Sequence, residues 1–156
     1  MRGLNRLHQF DKVEIVRIEE PSKSYEVLDE MVEHVKNLLL ELELPFRIVR
    51  LCGGDLGFTS ALTYDFEVYS MGQNKWLEVS SVSNFESFQS NRLNLKIDLG
   101  DKKKNYAHTL NGSSLALPRI VACILENFQE KDHINIPEKL HKYTCLLYTS
   151  DAADDL

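Results

Sequence analysis

Residues 63–83 read TYDFEVYSMGQNKWLEVSSVS. Thr63–Tyr69 alternates polar with apolar, and Trp76–Ser83 alternates again after Met71–Lys75, which turns on Gly72. Period-two alternation belongs to a strand with one buried face. Two such runs joined by a short glycine-containing turn make an antiparallel hairpin. Working outward, residues 7–18 predict a strand around the β-formers Val13, Ile15, Val16 and Ile18, and Phe46–Cys52 predicts a short one before the turn Gly53-Gly54-Asp55. Arg92–Leu99 predicts another strand, followed by a Gly100–Lys104 turn and a strand at Tyr106–Leu110. Two helices complete the pattern. One follows Pro21, capped by Ser22 or Ser24, with Leu28, Met31, Val32, Val35, Leu38, Leu39 and Leu42 at helical spacing, and stops by Pro45. The other opens near Ser113 or Ser114 and runs to about Gln129, with Leu117, Ile120, Val121, Ile124, Leu125 and Phe128 on one side. Antiparallel strands interrupted by helices indicate an α+β domain: an antiparallel sheet flanked by helices.

Composition agrees with a globular chain of one domain: 156 residues, 43% apolar and 27% charged. No run of eighteen apolar residues exists, which excludes a helical membrane span. The segment RGLNRLHQFD after Met1 is too polar for a secretory signal, so a cytoplasmic location is expected. Net charge is −6, and Asp151, Asp154 and Asp155 carry half of it, so no broad basic face and no DNA partner are expected. Cys52, Cys123 and Cys145 form no CxxC pair and read as reduced thiols.

Three stretches carry chemistry. On a strand at 7–18, Arg6, His8, Phe10 and Glu14 share a face, and Phe10 to Glu14 spans about 13 Å, the reach of a nucleotide plus a small amine. A cation for phosphate, a ring for a base and a carboxylate for an ammonium are all present, although a salt-bridged strand edge accounts for the same residues. In Leu77–Asn84, Glu78 stands beside Ser80, Ser81 and Ser83, hard oxygen ligands of the kind magnesium takes with a nucleotide. Glu78 and Ser81 have opposite parity, however, so joint action requires a bulge; an exposed serine-rich strand is the alternative. Asn111-Gly112-Ser113-Ser114 reads as a strand-to-helix junction with free N–H groups suited to an anion or small polar ligand. Arg119 follows among Leu115, Ala116, Leu117, Ile120 and Val121, where it needs an anionic partner from protein or ligand. No catalytic triad, HExxH, P-loop or dinucleotide glycine fingerprint is present. By chemistry alone these residues describe a nucleotide site on an antiparallel sheet.

Taken together, the motifs resemble the seryl-tRNA synthetase family of class II aminoacyl-tRNA synthetases. The block Arg2-Gly3-Leu4-Asn5-Arg6-Leu7-His8-Gln9-Phe10-Asp11-Lys12-Val13-Glu14 is similar to the second half of class II motif 2. The similarity continues through Gly54-Asp55-Leu56-Gly57-Phe58, Thr63–Val68, Glu78–Phe85, His108–Ser113 and the motif 3 segment Leu115–Arg119, covering nearly all of residues 2–144. The resemblance implies that Arg6 grips the ATP phosphates, Leu7 offers a backbone contact near the base, Phe10 stacks on adenine and Glu14 binds the serine substrate. Glu78, Val79, Ser80 and Ser81 correspond to the ATP segment, with Glu78 and Ser81 holding Mg2+ together with ATP. Asn111 and Ser113 correspond to the serine pocket and Arg119 to the motif 3 phosphate arginine. Arg6 and Arg119 would be the catalytic pair. Val82 replaces a common cysteine, and Ser114 and Pro118 stand at frequent glycine positions; the proposed ligands are intact.

The implied activity is that of a serine–tRNA ligase acting on L-serine, ATP and tRNA(Ser), homodimeric in its parent protein; a non-catalytic synthetase-like binding module is the rival. Residues 1–144 are expected to be the C-terminal portion of the aminoacylation domain, with motif 1, the leading Arg-x-Glu of motif 2 and the tRNA-binding arm lying upstream. Residues 145–156, CLLYTSDAADDL, resemble read-through of a sequencing adapter and are expected to be a non-native tail. Alone, the chain is expected to bind ATP weakly without turnover.

Overall fold

The computed structural model describes residues 6–98, 100 and 104–144; the expectations for Arg2–Asn5, most of the Gly100–Lys104 turn and the 145–156 tail lie outside them. The elements, in order, are β1 (Lys12–Glu19), α1 (Ser24–Glu41), β2 (Phe46–Arg50), β3 (Leu62–Ser70), β4 (Lys75–Asn84), α2 (Phe88–Leu93), β5 (Lys96–Asp98), β6 (Lys104–Tyr106), β7 (His108–Ala116), α3 (Leu117–Asn127) and a 3₁₀ segment, Glu138–Tyr143. Five strands form one sheet in the order β1-β7-β4-β3-β2, with every neighbouring pair antiparallel. β5 and β6 make a separate two-stranded ribbon.

Both long helices cover one face of the sheet. Leu28, Met31, Val35 and Leu39 of α1 and Ile120, Cys123 and Ile124 of α3 join Phe66, Val68, Leu77, Val79, Val82, Leu110 and Leu115 in a single buried cluster. The i, i+3, i+7, i+11 spacing in α1 is the stripe the sequence predicts, and burying it removes the largest block of apolar surface from water. Burial pushes the Cys123 thiol up to about 11, so it acts as a packed apolar residue rather than a reactive one. Asn84, fully buried, donates from Nδ2 to Ser24 Oγ at 3.1 Å, and that hydroxyl lies 2.8 Å from His108 Nδ1. This chain ties the first turn of α1 to the ends of β4 and β7. Ser24 therefore spends its hydroxyl on tertiary contacts, and the residue at the helix N-cap is Lys23, with no side-chain cap bond.

The structure corrects several expectations. The strand expected over 7–18 begins only at Lys12, because residues 6–11 leave the β7 edge. Arg92–Leu99 is not one strand. Phe88–Leu93 is helical, Asn94 closes it in the left-handed region at φ 51°, and pairing starts at Lys96. The helix expected from Ser113 starts at Leu117, since β7 continues to Ala116 along its ladder with β1, which outweighs the local serine signal. The face of α3 also differs. Ile120, Cys123 and Ile124 are buried, while Leu117, Val121 and Leu125 form an adjacent exposed row.

At one point β4 and β7 touch with no room to spare. A Cβ on Gly112 would lie 2.8 Å from Val82 Cγ2 and 3.1 Å from its Cα, so the backbone itself would have to shift. Gly112→Ala is therefore expected to lose about 1–3 kcal/mol in urea unfolding. Gly57→Ala, where nothing lies within 4 Å, serves as the control; equal stability of the two variants would contradict the assigned packing.

Candidate active site

The β4–β7 ladder covers only three residue pairs, Val82↔Gly112, Ser83↔Asn111 and Asn84↔Leu110. Beyond them both strands continue, β4 to Lys75 and β7 to Ala116, but pair only with their outer neighbours. The sheet thus splits along its middle. Two side chains brace the split: Ser80 Oγ donates to the Ser113 carbonyl at 2.5 Å, and Arg119 donates to the Glu78 carbonyl. Pro118 occupies the first turn of α3, where its missing N–H is harmless, and the helix delivers Arg119 to the mouth of the opening.

A cavity of about 380 Å³ fills this split, lined by Arg6, Leu7, Phe10, Lys12, Glu78, Val79, Ser80, Ser113, Ala116, Pro118 and Arg119. That volume is in the range of small-molecule sites. Eight of the expected residues meet here: Arg6, Leu7, Phe10, Glu78, Val79, Ser80, Ser113 and Arg119. Phe10 is 50% exposed, its ring uncovered at the cavity edge. Arg6 and Phe10 arrive through irregular chain rather than by strand alternation, and His8 is not among the lining residues.

Glu14, Ser81 and Asn111 stand beside the cavity rather than in its wall. Glu14 is the cross-strand partner of Ser113, whose hydroxyl donates to Glu14 Oε2 at 3.3 Å. Asn111 pairs with Ser83 on one side and Val16 on the other. The Asn111–Ser114 stretch is not an anion-binding junction, because it lies within β7 and its backbone belongs to the sheet.

The bulge required for Glu78 and Ser81 to act together is present. Between Phe66↔Ser80 and Glu67↔Glu78 the register shifts, leaving Val79 as the extra residue on β4. This rephasing places Glu78 opposite Glu67 and Ser81 opposite Asp65, two residues apart on one strand face. Sequence reasoning missed Asp65 and Glu67; the signal was their alternation with Phe66 and Val68. Crowding by protein atoms raises the Glu78 pKa, although the residue keeps surface exposure; the charge of Asp65 raises it further and Arg119 opposes the rise. Burial likewise raises Asp65, against a hydrogen bond from Ser81. Among the described residues, Asp65 Oδ1 is buried with no hydrogen-bond partner. An orphaned carboxylate oxygen beside a hydroxyl and a second carboxylate fits a hard divalent cation. No group of three or more His, Cys, Asp or Glu among the described residues forms a complete metal cage, so such a cation would need oxygens from a ligand as well.

Residues 1–128 match the family described as the tRNA synthetase class II core domain (G, H, P, S and T), and the chain belongs to that family. Within it the resemblance is to the seryl enzymes. The chain is 56% identical over 146 residues to the serine–tRNA ligase of Salinibacter ruber and 55% over 143 residues to that of Methylacidiphilum infernorum. These matches cover 92% and 91% of the chain and 34% of each relative, so it spans about a third of their length. The seryl-tRNA synthetase of Pyrococcus horikoshii, solved in complex with ATP, superposes with a TM-score of 0.88 at 42% identity, over 92% of this chain and 32% of that one. The cytoplasmic serine–tRNA ligase of Naegleria fowleri, solved with AMP, gives 0.86 at 33% identity, over 90% and 34%. A prolyl-tRNA synthetase of Giardia lamblia, 13% identical with a TM-score of 0.77, shares the fold.

The carboxylates imply a measurable pH dependence. With folded pKa values above the ordinary range of about 4, Glu78 and Asp65 bind more protons in the folded than in the unfolded state between the two values. Stability contributed by their protonated forms is full below that window and is lost as pH rises through it. Glu78→Gln is expected to lose less stability than the wild type between about pH 4 and 7. Urea unfolding over that series checks it, and identical pH profiles would contradict it.

Proposed function

We propose that this chain is the catalytic-core segment of a serine–tRNA ligase, which activates L-serine with ATP and transfers the seryl group to tRNA(Ser). The observation that carries the proposal is one cavity bringing together two arginines and a half-exposed aromatic ring, with a hydroxyl–carboxylate pair at its side, in a chain 56% identical to a serine–tRNA ligase. The cavity sorts into three parts. Phe10 stacks adenine and the Leu7 backbone meets the base edge. Arg6 and Arg119 draw the triphosphate across the split, with Val79 and Ser80 beneath it. Glu14 takes the serine ammonium, with Ser113 and Asn111 near the serine hydroxyl.

In the first step a serine carboxylate oxygen forms a bond to the α-phosphorus while the bond to the bridging oxygen breaks, and the electron pair leaves on pyrophosphate. In the second, a terminal ribose hydroxyl of tRNA attacks the seryl carbonyl, AMP leaves, and the hydroxyl proton passes to the departing phosphate or to water. Neither step needs a protein nucleophile. The protein contributes position and charge: the Arg6 and Arg119 guanidinium groups meet negative charge inside the cavity. Glu78 and Ser81 would hold Mg2+, which supplies further neutralisation of the phosphates. The family resemblance also supports a homodimeric, cytoplasmic parent. No described helix is long and apolar enough to cross a membrane.

The test uses the Salinibacter ruber ligase with its matching third replaced by this chain, assayed by serine-dependent ATP–pyrophosphate exchange. Phe10→Ala is expected to weaken ATP binding by about 1–3 kcal/mol and to leave the serine requirement nearly unchanged. Glu14→Gln is expected to raise the serine requirement roughly tenfold or more and to spare ATP. Equal losses in both constants for either variant would contradict the assigned roles.

A further inference from the structure

Lys12 has no part in the roles above, yet it lies between the two carboxylates they use. It stands two residues before Glu14 on β1, so both side chains leave the strand on one side. Its Nζ is 2.8 Å from Glu14 Oε2, the same oxygen that accepts the Ser113 hydroxyl. It also lines the cavity beside Arg6 and Arg119, and its charge reaches the Glu78 carboxyl.

An incoming ammonium therefore finds its carboxylate already neutralised by an internal one. Two ammonium groups on one carboxylate oxygen repel each other, so the arriving amine must displace Lys12. Lysine suits such an exchange, being a point charge on a flexible four-carbon stem rather than a fixed planar fork. Once displaced, it remains in a cavity that holds two arginines, and it needs an anion.

We propose that Lys12 is an internal stand-in for the substrate ammonium: it occupies Glu14 in the empty site and moves to the phosphate or carboxylate of the bound substrates when the serine amine takes its place. The proposal rests on reading Glu14 as the partner of that amine. It makes serine and nucleotide binding cooperative. A nucleotide supplies the anion that draws Lys12 away and frees Glu14, and by reciprocity serine strengthens nucleotide binding. A purely structural strand-edge ion pair would produce no such coupling.

The experiment is an NMR titration of the full chain with L-serine, alone and with the α,β-methylene analogue of ATP, following the Glu14 and Ser113 amides. The wild type, Lys12→Met and Lys12→Arg are compared; the Lys12 side chain is 40% exposed, so neither substitution disturbs the core. In the wild type the nucleotide analogue is expected to tighten serine binding. Lys12→Met is expected to bind serine alone roughly two- to fivefold more tightly, the range an exposed ion pair is worth, and to gain little from the nucleotide. Lys12→Arg keeps the charge and is expected to keep the coupling. A methionine variant that binds serine no more tightly, or retains full coupling, overturns the proposal and leaves the reading of Glu14 standing. A wild type in which serine moves neither amide, with or without nucleotide, overturns both.

Discussion

The contact of Gly112 with Val82 is the constraint on which the site depends. It leaves no room for a side chain between β4 and β7 at Gly112, and the ladder ends there. Past that point each strand is held by its other neighbour, β4 by β3 and β7 by β1, so the two diverge without either becoming a free edge. A sheet can open in its interior only if both lips stay paired elsewhere, since unpaired buried backbone is costly. Two carbonyls at the lips, those of Ser113 and Glu78, accept hydrogen bonds from Ser80 and Arg119. These residues brace the gap and face its contents.

Two bulges accompany the split. Val79 is extra on β4, and β7 carries an extra residue between Ser113 and Ala116. The first turns Glu78 into phase with Ser81; the second lets Leu115 reach the core while Ala116 stays at the cavity. Bulges near functional sites re-aim side chains without changing the fold, and here they convert a regular alternation of faces into a patch of polar and charged groups. The patch is charged on both sides. Arg6, Lys12 and Arg119 meet Glu14 and Glu78, and burial raises the Glu78 and Asp65 pKa values. On the proposed reading, a nucleotide with a divalent cation would bring counter-charges of both signs.

Much of this was legible in the sequence. The 63–83 hairpin, the α1 stripe and the antiparallel class follow from periodicity alone, because one face of each element is buried and the other is not. The cavity residues Arg6, Phe10, Glu78, Ser113 and Arg119 stand out as polar or aromatic groups in places that need a partner. What the sequence could not show was produced by tertiary pairing. β7 runs through Ser113 and Ser114 because its ladder with β1, which continues to Ala116, outweighs a local helix-start signal. Phe88–Leu93 is helical because Asn94 adopts the left-handed conformation that ends it. Asp65 looks like an ordinary outward-facing strand residue until the bulge on β4 places Ser81 across from it, and Lys12 looks like a surface cation until β1 is seen at the cavity lip.

On the proposed reading, one cavity, opened by the β4–β7 split, holds an adenosine and a serine at the same time. Calorimetric binding of a non-hydrolysable seryl-adenylate analogue, a serylsulfamoyl adenosine, to this chain tests it most directly, with the alanyl counterpart for comparison. The account predicts that the seryl compound binds more tightly than the alanyl one, which leaves the polar groups near Ser113 and Asn111 unpartnered. It also predicts that Phe10→Ala weakens both compounds alike. Equal affinity for the seryl and alanyl compounds, or binding that survives loss of Phe10 unchanged, would contradict it.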